Sequence, residues 1–176
     1  MSEQMGQLRS ERGEPDVATQ RTSVAETLDR TGLQPCVVDE TASLRRVCEQ
    51  LGETPGVDIV AVVDETGRLT GVIPVRLLLD ELFLRVAPEE FLGDLQALEG
   101  VEEFGKLSRA RSARDLMQHA VHIARDDSVR EAFARMHERR LEGLPVVDEQ
   151  MRVVGYLGRL QLIQLWLQKN QPEGTA

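Results

Sequence analysis

The stretch "VVDETGRLTGVI" occupies positions 62–73, and "VVDEQMRVVGYL" occupies positions 146–157. Six of the twelve positions are identical and in register: Val, Val, Asp, Glu, Arg and Gly. Repeats of this kind decide the architecture before any other feature. Each copy reads as two short strands around a turn, because a Val-rich run, an Asp-containing turn and a second apolar run are the marks of a hairpin. Gly71 and Gly155 fall at the same place in the outgoing strand, where glycine signals a bulge or a close approach by another group.

The repeat extends in both directions. Upstream, Leu44, Val47, Cys48 and Leu51 recur at helical spacing, as do Val129, Ala132, Phe133 and Met136. Polar residues suited to capping precede both helices: Thr41 and Ser43 in the first copy, Asp126 to Ser128 in the second. A short apolar segment, Cys36-Val37-Val38 or Val121-His122-Ile123, reads as a strand before each helix. Downstream, the apolar segments 75–84 and 159–167 read as largely buried helices. The unit is therefore strand, helix, strand, strand, helix (βαββα), in an α/β fold repeated at about 85 residues. A unit of about 50 residues does not easily bury a core alone, whereas two packed together do.

Composition narrows the function. With 41% hydrophobic residues the 176-residue chain has enough apolar material for a core. A net charge of −9 argues against nucleic acid and anionic lipid as partners. No apolar run approaches the roughly 20 residues of a membrane span, and the first residues, MSEQMGQLRSERGEPD, form no secretory signal. Cys36 and Cys48 read as reduced thiols of a cytoplasmic protein, with a disulfide between them the lesser alternative. Cys48, on the apolar stripe of its helix, is expected to be buried.

Four segments of the second copy carry a family resemblance: Ala113-Arg114-Asp115-Leu116-Met117, Asp127-Ser128-Val129-Arg130-Glu131-Ala132, Gly143-Leu144-Pro145-Val146-Val147-Asp148 and Arg152-Val153-Val154-Gly155-Tyr156-Leu157. In this order and spacing they resemble the tandem CBS domain, the cystathionine β-synthase-type module that usually occurs in pairs. The first copy keeps the order but has Val60-Ala61-Val62-Val63-Asp64 where the family has a proline. The resemblance implies a first repeat over 31–86, a helical linker over 87–112 and a second repeat over 113–168. Residues 1–30 and 169–176 are expected to be disordered tails. The linker, with Leu92, Leu95, Leu98, Val101 and Phe104 at helical spacing, reads as helices that close the core or face a partner.

What the resemblance implies about function is regulation. CBS pairs bind adenine nucleotides or related ligands between the repeats and relay binding to another protein, so AMP, ADP, ATP or S-adenosylmethionine become candidate ligands. A Thr or Ser after the hairpin touches phosphate in that family, and an Asp three residues later binds the ribose hydroxyls. This chain departs from that motif twice. Pro74 and Leu77 stand at these places in the first copy, and Gly158 and Gln161 in the second. Leu77 accepts no hydrogen bond; Gln161 accepts one without charge. A ribose is therefore expected to bind weakly, and only in the second copy.

The candidate ligand-binding residues are Arg114, His119, Val121, His122, Leu144, Pro145, Gly158, Arg159 and Gln161. Arg114 and Arg159 suit bidentate phosphate contacts, although a solvated helical arginine is the commoner fate. His119 and His122 read either as structural or surface groups or as phosphate contacts; no third ligand joins them as a metal pair. His137 reads as exposed, and Trp166 as core or dimer interface. No phosphate loop or catalytic constellation is present, which argues against an enzyme. Two readings remain: a stand-alone regulatory module that binds a small ligand and acts on an unknown protein partner in trans, and a ligand-free dimeric scaffold or interaction module. Both include a homodimer, because the helices after the hairpins are apolar on more faces than one chain covers.

Overall fold

The structure is a computed structural model, described here over residues 22–31, 33–86 and 110–169. The expected linker helices fall mostly at 87–109, outside these residues, as do the tail positions 1–21 and 170–176.

The first repeat starts with β1 (Cys36–Asp39), α2 (Leu44–Gly52), β2 (Ile59–Val63), β3 (Leu69–Pro74) and α3 (Val75–Val86). The second has β5 (Ile123–Ala124), α5 (Val129–Arg139), β6 (Gly143–Val147), β7 (Val153–Gly158) and α6 (Arg159–Lys169). In both, the first strand runs parallel to the second through a helical crossover, and the hairpin partner is antiparallel. Ser43 and Ser128 cap the crossover helices, each accepting a hydrogen bond from the backbone N–H three residues on. Glu131 completes a capping box by returning its carboxylate to Ser128. The turns are alike as well. Asp64 accepts from the N–H groups of Thr66 and Arg68, and Asp148 from those of Gln150 and Arg152.

The two glycines mark equivalent bulges. Val62 pairs with Gly71 but Val63 with Leu69, leaving Thr70 extra; Val146 pairs with Gly155 but Val147 with Val153, leaving Val154 extra. A Cβ on Gly71 would lie 2.8 Å from the Gln118 carbonyl oxygen, and one on Gly155 would lie 2.8 Å from Leu28 Cδ1. Close approach by another segment therefore explains both positions.

Each repeat is covered by a lead-in helix that belongs, by sequence, to the other. Helix α4 (Ala113–Leu116) precedes the second repeat but packs on β3 of the first. Its first N–H groups, from Ala113 and Arg114, donate to the Ala42 and Glu40 carbonyls. The short strand β4 (Gln118–His119) then extends the first sheet, which runs β1-β2-β3-β4, against β5-β6-β7 for the second. Helix α1 (Val24–Thr31) precedes the first repeat but packs on β7 and α6 of the second. Its Val24 and Ala25 N–H groups donate to the Asp127 and Arg125 carbonyls. For residues 22–30 this corrects the reading of a disordered tail: Val24 and Thr27 are buried.

One hydrophobic cluster runs through both repeats, from Val60, Val62 and Ile73 to Ile123, Leu144, Val146 and Leu157. Strand β2 packs on β6, and the hairpin tips meet where Leu69 N–H donates to the Met151 carbonyl. Removal of one such aliphatic side chain from water is worth about 1.5–3 kcal/mol, so neither half is expected to fold well without the other.

Four local expectations need correction. The strand read at Val121-His122-Ile123 is Ile123–Ala124; Val121 and His122 lie on the crossing from the first sheet to the second. Cys48 is half-buried and Cys36 is the buried thiol, both free. Phe133, placed on the apolar stripe of α5, is 60% exposed. Helix α6 is not largely buried: Leu160, Ile163, Trp166 and Leu167 are each more than half exposed. The packed side of α6 carries Gln161, Leu162 and Leu165 instead.

Candidate functional site

The motif that should anchor a ligand lies where β7 ends and α6 begins. Strand β7 arrives with Tyr156 and Leu157 buried, and Gly158 leads directly into the helix. A helix start leaves backbone N–H groups without intrahelical partners. Here the Gln161 side chain fills part of that need, its Oε1 accepting from Gly158 N–H at 2.8 Å. Gln161 is only 7% exposed. The acceptor expected to meet a ribose is thus used to cap its own helix.

Tyr156 takes the adjoining space. In the hairpin, Gly143 pairs with Gly158 and Pro145 with Tyr156. The tyrosine ring leans along the strand over both glycines. A Cβ on Gly143 would fall on the Tyr156 hydroxyl and Cζ; one on Gly158 would lie 2.8 Å from Gln161 Oε1 and 2.9 Å from Tyr156 Cε1. The side chain absent at Gly158, the hydroxyl position of the family motif, would therefore project into the tyrosine ring. The Tyr156 hydroxyl accepts from Asp58 N–H at 3.1 Å, at the foot of β2 in the first repeat. Burial pushes the phenol well above its usual pKa, so it remains protonated.

The remaining candidates lie on several elements, each with its own partners. Arg114, on α4, pairs with Glu40 of the first repeat. Arg159 pairs with Glu142, whose carbonyl also accepts from Arg159 N–H. Exposed His119 sits in β4, opposite Gly71 of the first sheet. His122 is half-buried, and the Arg135 guanidinium donates to its carbonyl. Burial, followed by the Arg135 charge, lowers the His122 pKa. Val121 is partly buried beside the core, while Leu144 and Pro145 are buried in β6. Among the described residues, no His, Cys, Asp and Glu cluster is suited to a metal ion.

In the first copy, Pro74 ends β3 and is buried, and Leu77 packs against the core. The groups at both motif positions are apolar there. The sequence did not single out Tyr156, which the structure places beside the motif glycine of the second copy. The available signal was the pair of glycines, Gly143 and Gly158, on the face of the hairpin onto which a large side chain folds.

A separate open groove of about 590 Å³ lies between the end of α5 and the start of α6. Phe133, Met136, His137, Arg140, Glu142 and Arg159 are among its lining residues. The Phe133 and His137 rings are stacked at 6.4 Å.

Comparison with known proteins fits this geometry. A family model described as the CBS domain matches residues 31–84 and 113–167. Among solved structures, the chain is similar to a CBS domain-containing protein from Thermotoga maritima, at 24% identity and a TM-score of 0.66, covering 86% of this chain and 98% of that one. It is also similar to CBSX2 solved in complex with AMP, at 21% identity and a TM-score of 0.60, over 85% and 98% of the two chains. A third is the CBS domain pair of protein MJ0100 with 5'-methylthioadenosine and S-adenosyl-L-methionine, at 19% identity and a TM-score of 0.62, over 85% and 98%. At these identities the likeness shows the fold alone. No curated protein matches. Two tandem matches spanning more than half of the chain, on two βαββα repeats joined through one core, make this protein a member of the CBS-domain family.

Proposed function

We propose that this chain is a regulatory module that catalyses no reaction and works through protein contacts: it forms a homodimer and acts in trans on a separate protein partner. The observation that carries this reading is the outer face of α6. Leu160, Ile163 and Leu167 follow helical spacing and are 60%, 53% and 53% exposed. A helix that is apolar on its outer face as well as its packed face needs a second surface to cover it. A second copy supplies a matching stripe by two-fold symmetry. Among the described residues, no helix is long and apolar enough to cross a membrane.

Light scattering tests this. The parent chain at tens of micromolar should have twice the monomer mass, and Ile163→Glu with Leu167→Glu should reduce it to monomer while retaining the circular dichroism spectrum. A parent monomer overturns the homodimer.

The second reading is a sensor of an adenine nucleotide or S-adenosylmethionine. Its support is that proteins of this fold have been solved with AMP and with S-adenosyl-L-methionine. Against it stand the capping role of Gln161, the ring of Tyr156 beside Gly158, and the apolar Pro74 and Leu77. The interaction module is the better supported of the two.

A further inference from the structure

We infer that Tyr156 is a built-in occupant of the second-copy cleft: its ring fills the space beside the motif position at Gly158 that a bound nucleoside would need, and its hydroxyl ties the second repeat to the first. The inference rests on the reading that this cleft works without a nucleotide, and it adds the residue that enforces it.

Three observations converge on this side chain. The first is space. Tyr156 is almost completely buried, and two glycines, Gly143 and Gly158, are the positions whose missing side chains make room for it. Neither has a positive φ, so backbone conformation does not require glycine at either place. The second is position. The ring lies 2.9 Å from where a Cβ on Gly158 would be, beside the motif position from which a hydroxyl side chain would meet phosphate. The third is connection. Asp58 N–H has the Tyr156 hydroxyl as its acceptor, 98 residues away in sequence, while the Asp58 carbonyl accepts from Val75 N–H at 2.9 Å. Glu142 is the counterpart of Asp58 in the second repeat, its carbonyl accepting from Arg159 N–H. A bound ligand that bridged two repeats would have to replace this ring and this bond. With both supplied internally, the spacing of the repeats at this cleft is set without a ligand.

The ligand class that Tyr156 excludes is a flat ring carried by a nucleoside. Two variants of the full chain test the assignment. Tyr156→Ala removes the ring, and adenosine is then expected to raise its melting temperature and to bind at least about tenfold more tightly than to the parent, because a buried aromatic ring no longer has to be displaced. Phenol, the ring removed, is expected to stabilise the same variant. Stabilisation by phenol alone would reveal a sealed core cavity and overturn the assignment, as would a folded variant indifferent to both compounds. Tyr156→Phe keeps the ring and removes the tie. Hydrogen exchange at the Asp58 amide is then expected to speed up about fivefold, the size of one modest hydrogen bond. Unchanged exchange there overturns the tie, and if the alanine variant does not fold, Tyr156→Leu carries the same adenosine test, with no gain in adenosine binding overturning the occupancy. Adenosine binding by the parent would instead defeat the reading of a ligand-independent cleft, so the two failures are distinguishable.

Discussion

At the residue scale, two glycines in the same motif position are constrained differently. Gly71 faces backbone and sulfur: an added Cβ would lie 2.6 Å from Met117 Sδ and 2.8 Å from the Gln118 carbonyl oxygen. Gly155 faces only the end of the Leu28 side chain. Gly71→Ala is therefore expected to cost about 1–3 kcal/mol by overpacking, and Gly155→Ala distinctly less, in urea denaturation. Three carboxylates also act locally. Backbone and hydroxyl hydrogen bonds hold the pKa values of Asp64, Asp115 and Glu131 below their ordinary values. A depressed folded-state pKa contributes stability that is present above the unfolded value and lost as pH falls through the folded one. Stability should thus be flat from pH 6 to 8 on account of these groups and fall below about pH 4. Asp64→Asn with Asp115→Asn should lessen that acid slope in pH-dependent melting; an unchanged slope would contradict these roles. The repeated motif residues were legible because turns and caps are local chemistry. Tyr156 was not, because its role needs Gly143, Gly158 and Asp58 brought together by the fold.

At the scale of elements, the instructive case is α1. The run Ser23-Val24-Ala25-Glu26-Thr27-Leu28 parallels Ser112-Ala113-Arg114-Asp115-Leu116-Met117, and each precedes a repeat. The second was legible as a family motif, whereas the first lacks its Asp and Met. The Ser–Ser bridges show the equivalence: Ser23 pairs with Ser128, and Ser43 with Ser112. Each lead-in helix caps the opposite repeat, so the repeats are interlocked by exchange as well as by a shared core. Val24→Ala, far from the hairpins in sequence, is expected to destabilise the whole domain by about 2 kcal/mol in a single cooperative transition. A local loss of α1 with no change in the global urea midpoint would contradict the interlock. The outward side of α5 and α6 was misread for a related reason. Periodicity shows which residues are apolar, but not whether a single chain covers them, and Phe133, Leu160 and Ile163 remain outside.

At the scale of the molecule, the order and connectivity of two βαββα units were legible from the twice-written hairpin, and the departures from the ligand motif were legible residue by residue. What replaced the lost anchors was not, since Gln161 turned to its own helix and a tyrosine folded into the gap. The double change Gly158→Thr with Gln161→Asp, which restores the motif on paper, would collide with Tyr156. On these grounds this CBS pair holds its shape without an adenine ligand. Thermal shift with AMP, ADP, ATP and S-adenosylmethionine tests it most directly. A ligand present at 100 times its dissociation constant stabilises by about 2.7 kcal/mol, a shift of several degrees for a domain of this size. The parent chain should show no shift with any of the four at millimolar concentration; a saturable rise with any one of them would mean that the cleft is open to an adenine ligand.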